Sequence, residues 1–383
     1  MSKNVIQRRS FLRGAAIATA GLPATGLLNA EESTRPTRGD IAILKLLAAA
    51  EIIETDLWLQ YSELGGTQDN EVSGKNGGNE LYMGALQILD GDMPQYVHDN
   101  TDDEISHARF LNKYLMSKGE APVSLEHFRR LPSSQAKGSN KFAQRLTNLT
   151  QLTVDTTFWA RYRSITNPDF DPGAKFAQAV PSLAVGQHTA IPRSDADTDG
   201  SFLSDDNSKS ITPFLQAIAF TAGFHFAFIE QGGTSLYATL AQKVTSLEVL
   251  RILLGIGGSE IMHFQTWQDK AGNALPLTNV VDPKTKVTVS FADLKQAKGE
   301  TSPESTKGDT LQSNLIMPEP AHFLNQALGP VAIIRPTSTK NSGAVAAIKS
   351  FQDDGLFIGH RRDFLDFVFE LAEQADAAYR EVS

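Results

Sequence analysis

The sequence contains no cysteine, so the fold cannot rest on disulfides, and its stability must come from an apolar core, a bound metal or both. Beyond a marginal stretch near the N-terminus, it lacks the roughly 18 consecutive apolar residues that a membrane-spanning helix needs. Basic residues are also few, with 35 Lys and Arg against 44 Asp and Glu. The resulting formal charge of −9 repels phosphate backbones and argues against a general nucleic-acid binder.

The first 30 residues predict an export signal that is not part of the folded domain. They include four basic residues and no acidic one, and a weakly apolar stretch over 14–28 is followed by the small residue Ala30. The run RRSFLR at 8–13 resembles a twin-arginine signal. It implies recognition by the twin-arginine export machinery and a periplasmic or extracellular mature protein without a membrane span. The alternative is a basic disordered tail.

The rest of the chain has the composition of a globular protein, with 41% hydrophobic and 21% charged residues. Its 383 residues fit about two domains, or one domain with long insertions. In several segments apolar residues recur every three or four positions, which is the period of one helix face. Together with glycine and proline stop signals, this pattern predicts helices over 40–63, 80–89, 94–116, 212–242, 247–270, 344–351 and 360–381.

Two long stretches interrupt the helical pattern. Residues 120–210 lose the helical period; within them, 142–165 fit either a helix or strands, and 192–210 predict a surface loop. Residues 271–318 are polar, with a short strand predicted over 286–291.

The four longest predicted helices each carry a glutamate among apolar residues. The second and fourth contain the pattern Glu-x-x-His, at 104–107 and 260–263, and residues three apart lie on one face of a helix. The third offers Glu230, the only acidic residue between 210 and 247. The first offers Glu51 and Glu54, which share a face.

Glutamates on four apolar helix faces imply a site for cations, because a buried ionised carboxylate is costly unless it is paired or bound to metal. The order Glu, Glu-x-x-His, Glu, Glu-x-x-His is that of carboxylate-bridged di-iron and di-manganese bundles. Simpler interpretations stay open: an exposed helix edge for Glu51 and Glu54, a salt bridge from another helix for Glu230, and ordinary core histidines for His107 and His263.

The sequence around these residues resembles the ferritin-like superfamily, and in particular its desiccation-related branch. The resemblance rests on DEISHARFL at 103–111, on FIEQGG at 228–233 with Tyr237, and on EIMH at 260–263. The segment DGLF at 354–357 is also similar to bacterial and fungal members.

The resemblance implies a fold and a ligand set. The fold is all-α: a ferritin-like four-helix bundle over 31–272 with a long crossover insertion at 120–210, and a C-terminal extension over 273–383 whose helices pack on the bundle. The implied metal ligands are Glu51, Glu104, His107, Glu230, Glu260 and His263, with Glu104 and Glu260 bridging two iron or manganese ions. Many ferritins have a tyrosine soon after the first glutamate. Here Trp58 lies there instead, and Tyr237 offers a tyrosine on the third helix.

Carboxylates with two imidazoles favour iron or manganese and are compatible with zinc. We therefore expect redox chemistry with a small oxidant: oxidation of ferrous iron, or reduction of oxygen or peroxide. The alternative is a non-enzymatic desiccation- or stress-related envelope protein built on the same bundle. Iron storage in a cage is disfavoured, because the long insertions would crowd a shell.

The remaining polar groups are interpreted as structural. His98 lies outside the ligand pattern, and His225 lies five residues before the third-helix glutamate and so points off its face. The alternating aspartates at 195–199 resemble a calcium loop but lack its terminal glutamate, so a solvated loop is expected. The glycines at 255–258 predict either a close approach near the metal site or a break in the helix.

Overall fold

The computed structural model describes residues 35–72, 77–161, 175–203, 209–294 and 343–381. The predicted export signal lies outside these ranges. The described part is mostly helical, as expected for an all-α protein, and its few strands are short. None of its helices is both long enough and apolar enough to cross a membrane.

Four long helices dominate the structure, and their ends agree with the sequence prediction to within two residues. The helices in chain order are α1 (Arg38–Gly65), α2 (Glu80–Leu86), α3 (Met93–Ser117), α4 (Phe158–Arg161), α5 (Pro213–Ala241), α6 (Leu247–Ala271), α7 (Ala344–Asp354) and α8 (Arg362–Asp376). The predicted ends of the second and last helices were too late, since α2 stops at Leu86 and α8 at Asp376.

Three of the four long helices begin where a side chain satisfies one of their first backbone N–H groups. At α1, the Thr37 hydroxyl accepts from the Asp40 N–H at 3.1 Å, and the Asp40 carboxylate accepts from the Thr37 N–H at 2.8 Å, a capping box. Thr212 caps α5, and Ser246 caps α6. Asp40 also accepts from the N–H groups of Thr245 and Ser246, so the starts of α1 and α6 are fixed side by side.

The core lies where the long helices pack, α1 against α3 and α5 against α6. A buried aromatic group joins the two pairs: Trp58 of α1 stacks on Trp267 of α6 with ring centroids 5.3 Å apart. Phe226 of α5 lies 4.9 Å from the first ring and 4.7 Å from the second. Burying each such ring contributes a few kcal/mol at roughly 25 cal/mol per Å² of apolar surface, so the register of α1, α5 and α6 is fixed here.

The insertion between α3 and α5 contains no long helix in its described part. Two short hairpins lie there, β1 (Leu131–Pro132) with β2 (Gln144–Arg145), and β3 (Phe202–Leu203) with β4 (Lys209–Ser210). The ambiguous stretch 142–165 holds only β2 and the single-turn α4, apart from 162–165, which lie outside the described residues. After α6, the predicted strand is present as β6 (Thr288–Phe291), paired antiparallel with the unpredicted β5 (Leu277–Val281).

The aspartate loop at 195–199 is solvated at Asp195 and Asp199, as the sequence led us to expect, but not at Asp197. Asp197 is buried and accepts from the Arg193 backbone N–H at 2.7 Å and from its side chain at 2.8 Å. The other edge of the Arg193 guanidinium donates to both oxygens of Asp282 at 2.9 Å. The loop therefore ties the insertion to the β5–β6 hairpin through the largely buried pairs that Arg193 makes with Asp197 and Asp282.

The C-terminal helices pack on the long ones, with α8 against α1 and α7 against α8. Asp354, at the end of α7, accepts a hydrogen bond from His225 of α5 at 2.9 Å. The other ring nitrogen of His225 bonds the Tyr61 hydroxyl at 2.8 Å, in agreement with the structural role expected for this histidine. Gly355 follows with φ of 94°, and a Cβ there would come within 2.5 Å of the Gln151 carbonyl, so this turn requires glycine.

Asp56 of α1 fastens the insertion to the long helices. One of its buried carboxylate oxygens accepts from the backbone N–H groups of Leu146 and Thr147, both at 2.9 Å, and from the Thr147 hydroxyl at 2.7 Å. The other oxygen pairs with Arg129.

We expect Asp56→Ala to lower the free energy of unfolding by about 3 kcal/mol, because it leaves two buried N–H groups without an acceptor and removes the buried partner of Arg129, whose guanidinium keeps only the exposed Glu126. Urea unfolding followed by circular dichroism measures the change. Asp366→Ala is the matched control, since Asp366 forms only an exposed pair with Arg362. Equal stability of the two variants would contradict this role for Asp56.

Candidate metal centre

The six residues predicted as ligands come together in the interior, although they lie on four different helices. Glu51 comes from α1, the pair Glu104 and His107 from α3, Glu230 from α5, and the pair Glu260 and His263 from α6. The four carboxylates are between 0 and 1% exposed.

These side chains form two overlapping groups, and within each group the potential ligand atoms all lie within 4.8 Å of one another. The first group is Glu51, Glu104, His107 and Glu260; the second is Glu104, Glu230, Glu260 and His263. Glu104 and Glu260 belong to both. Two neighbouring cations that share two carboxylates need this arrangement of donors.

The distances match ligands that surround a common ion. His107 Nδ1 lies 3.3 Å from a Glu51 oxygen, 3.2 Å from a Glu104 oxygen and 3.4 Å from a Glu260 oxygen. His263 Nδ1 lies 3.2 Å from Glu104 and 3.3 Å from Glu230. Ligands bound at about 2.1 Å to one cation lie roughly 3.0–3.4 Å apart.

The Glu104 carboxylate faces both groups at once. Its Oε2 is the atom 3.2 Å from Nδ1 of His107, and its Oε1 is the atom 3.2 Å from Nδ1 of His263. One oxygen is thus directed to each group, which is the orientation of a bridging carboxylate.

The outward nitrogens of the two histidines are held by hydrogen bonds. His107 Nε2 lies 3.0 Å from the Ser259 hydroxyl, and His263 Nε2 lies 3.1 Å from the Asp103 carboxylate. In the neutral imidazole, a carboxylate on the outer nitrogen makes it the protonated one, so Nδ1 of His263 would offer its lone pair to a bound cation. Sequence reasoning missed Asp103 and Ser259, although each directly precedes a predicted ligand.

Further hydrogen bonds position the carboxylates. The Tyr237 hydroxyl donates to Glu51, so this tyrosine serves the site as the sequence suggested. The Asn100 amide donates to Glu104 at 2.9 Å and to Glu230 at 3.1 Å, and the Trp267 indole N–H donates to Asn100 at 2.7 Å. Asn100 was not predicted, although its position one helical turn before Glu104 places it on the same helix face as this ligand.

Several inward-facing atoms have no hydrogen-bond partner within the described structure. They are Glu51 Oε2, Glu230 Oε2, both oxygens of Glu260 and Nδ1 of His263. Leaving a buried polar atom unpaired costs about 1–3 kcal/mol, more for a charged one. Since all of them face the two groups, cations are the partners that would satisfy them together.

The pKa values show how strongly the carboxylates and imidazoles interact. Burial raises the pKa of Glu51 to about 7 and also raises that of Glu260. Burial also acts to raise the pKa of Glu104, but hydrogen bonds from His107 and His263 outweigh burial, so the pKa of Glu104 is lowered. For His107, burial disfavours the cation, yet Glu51 and Glu104 outweigh burial and raise the pKa to about 10. In the metal-free protein, positive charge on the imidazoles therefore partly offsets the carboxylates.

The structure distinguishes between the two candidates on α1. Glu51 belongs to the first group, whereas Glu54 belongs to neither. The expectation that Glu54 is an exposed helix edge is nevertheless wrong, because its side chain is buried. Burial, followed by the charges of Glu51 and Glu104, raises the pKa of Glu54 well above its usual range.

The glycines before Glu260 do not break α6, which continues to Ala271. Gly257 lies against Tyr237, where an added Cβ would come within 2.9 Å of the tyrosine Cβ. A close approach near the site is therefore the correct interpretation for this position. Gly255 and Gly258 have open space beside them.

A third cluster, Asp69, Glu71 and His98, lies apart from these groups. His98 is buried and bonds Asp69 at 2.9 Å and Asp99 at 3.3 Å, which agrees with the structural role expected for it.

Within the two metal-ligand groups, only the histidines reach the surface. The side chains of His107 and His263 are 11% and 10% exposed, and both lie where α3 meets α6. Access to the centre is therefore from this face.

Comparisons of the chain with models of known protein families, with curated proteins and with solved structures give no match.

Proposed function

We propose that this protein binds two iron or manganese ions within a ferritin-like four-helix bundle and uses them in redox chemistry with ferrous iron, oxygen or peroxide. The observation that carries the proposal is the pair of ligand groups that share Glu104 and Glu260. One group would hold each ion, with Glu51 and His107 completing the first and Glu230 and His263 the second.

Charge balance supports two divalent cations. Two imidazoles lie among five buried carboxylates, and the described ion pairs of this group include no lysine or arginine. The five are Glu51, Glu54, Glu104, Glu230 and Glu260. Two divalent ions would offset most of this negative charge. Oxygen and imidazole donors without thiolate favour iron and manganese, and such ions supply one-electron oxidation and reduction when bound.

The residues of the chain prepare the centre in three ways. Asn100 and Tyr237 hold the carboxylates in place before any ion binds, which lowers the reorganisation needed. The buried aromatic group around Trp58 adjoins the centre through Trp267, whose indole N–H donates to Asn100. The two imidazoles are the partly exposed ligands, so ferrous iron, oxygen or peroxide would enter beside them, on the face where α3 meets α6.

Elemental analysis is the first test. The protein, produced with both metals in the growth medium, is expected to carry about two iron or manganese ions per chain. Purified protein without either metal would contradict the proposal and favour a structural, non-enzymatic role for the same fold.

The activity test compares purified variants supplied with iron(II) and oxygen. We expect metal-dependent oxidation in the wild type and its loss, together with at least one bound metal, in Glu104→Ala/His107→Ala, because this variant removes a bridging ligand and a terminal one. Iron(III) formation followed by absorbance measures the rate. Asp102→Ala/Ser117→Ala on the same helix is the control, and circular dichroism checks folding of both. Equal rates in the two variants would contradict the proposal.

A further inference from the structure

A cavity of about 730 Å³ lies between α3 and α6, next to the metal centre. Its volume falls within the range of about 300–1,000 Å³ that is usual for small-molecule sites. From α3 it is lined by side chains between Ser106 and Tyr114, including His107, and from α6 by side chains between Glu248 and Ile256. The cavity therefore extends about two helical turns along α3 and ends at a predicted metal ligand.

The body of the cavity is apolar. Phe110 is 50% exposed and stacks on Tyr114 with ring centroids 6.5 Å apart, while Ile252 and Ile256 face them from α6. Gly255 has no side chain and no neighbour within 4 Å of where a Cβ would lie, so it leaves the middle of the cavity open. A ligand that covers the half-exposed ring would remove its apolar surface from water, which favours binding in this cavity.

The charged residues of the cavity are mostly cationic. Arg109, Lys113 and Arg251 line it, and none of the three takes part in an ion pair within the described structure. Its one acidic residue, Glu248, is already paired with Lys118 at 2.7 Å. Three unpaired cations at one apolar cavity are notable in a chain with a net charge of −9, and they fit an anionic group.

We propose that this cavity binds an amphiphilic organic anion, with its apolar body along Phe110 and Ile256 and a carboxylate against Arg109, Lys113 and Arg251. Binding of the anion needs only the cavity and does not depend on metal.

The position of the cavity also assigns a substrate class to the proposed redox function. His107 lines the cavity with its ring, while its Nδ1 faces the first ligand group. A bound anion would lie one side chain away from the metal centre, so an amphiphilic carboxylate is the organic substrate that this centre would act on. This second step rests on the proposed function, whereas the binding step does not.

Calorimetric titration with decanoate, kept below its micelle concentration, tests the binding step on the full chain, both zinc-loaded and chelator-treated. We expect decanoate to bind one site per chain in both forms, at least tenfold more tightly than decanol or decyltrimethylammonium. Decanol binding as tightly as decanoate would overturn the proposal, because the three cations would then contribute nothing.

Two variants locate the ligand. Because a Cβ at Gly255 would meet nothing within 4 Å, Gly255→Phe adds a ring on the cavity side and is expected to weaken decanoate binding at least tenfold. Leu254→Phe is the matched control, because Leu254 neighbours it on α6 but is exposed outside the cavity. Arg109→Gln/Lys113→Gln changes only exposed side chains, so it preserves the fold and is expected to remove the preference for decanoate over decanol.

The outcomes separate the two proposals. Decanoate binding that Gly255→Phe removes, in a protein that takes up no metal, would support the cavity and reject the redox function. Unchanged binding in Gly255→Phe would overturn the cavity proposal whatever the metal content. A dimer in sedimentation that Gly255→Phe dissociates would assign this face to a second copy of the chain and also overturn it.

Discussion

Gly233→Ala is expected to disrupt the proposed metal centre through a single methyl group. An added Cβ at Gly233 of α5 would lie closer to Oε2 of Glu260 than real Cβ contacts come, and 3.3 Å from its Cδ. Glu260 is fully buried and enclosed, so its carboxylate would have to leave the position shared by both ligand groups. A displacement of this kind is enough to lower the rate of iron(II) oxidation by about 10²-fold and to release at least one metal per chain.

The neighbouring glycine provides the control. Gly232 has nothing within 4 Å of its Cβ position, so Gly232→Ala changes only helix propensity, by about 1 kcal/mol in favour of the folded state. Metal analysis and initial rates, measured side by side, separate the two variants. If Gly233→Ala keeps both metals and the full rate, Glu260 does not bridge.

Removal of metal is expected to lower the melting temperature by about 5–10 °C. A ligand present at a thousand times its dissociation constant stabilises the folded state by about 4 kcal/mol, and in a chain of this size each kcal/mol corresponds to about 2 °C. The physical cause is charge: without cations, the unpaired oxygens of Glu51, Glu230 and Glu260 stay buried together. Differential scanning calorimetry with and without chelator measures the shift.

Glu51→Gln/Glu260→Gln serves as the control for this charge effect. Burial raises the pKa of both carboxyl groups, which costs stability at neutral pH whether they stay ionised or take up a proton. The variant removes this cost, so its metal-free form is expected to melt at a higher temperature than the metal-free wild type, and added metal should shift it little. A wild type whose melting temperature does not respond to metal, or a variant that responds equally, would contradict the charge argument.

Much of the fold could be predicted from sequence patterns that act over a few neighbouring residues. The ends of the long helices were predictable because capping groups such as Thr37 and Ser246, and the period of apolar residues, act within one or two turns. Strand β5 was missed although β6 follows it closely, because its pairing is irregular, with a register shift between Leu277 and Val280. The burial of Asp197 was not predictable, because its partner Arg193 is held by Asp282, which is distant in sequence.

The candidate site divides in the same way. The two Glu-x-x-His pairs and Glu230 were visible in the sequence, because residues three apart on a helix share a face and a lone acid in an apolar helix is conspicuous. The choice between Glu51 and Glu54 was not visible, because both lie on one face and both are buried. Asn100 also escaped notice, since its role depends on Trp267 from another helix.

The sequence by itself determined the donor types, their helical spacing and their placement among apolar residues. Only the tertiary structure decided which donors share a centre, that Glu104 faces both histidines, and that a cationic, apolar cavity adjoins His107. The reason is physical. Periodicity is fixed by hydrogen bonds a few residues apart, whereas a ligand group needs atoms from separate helices within 4.8 Å, and that distance is set by how the helices pack.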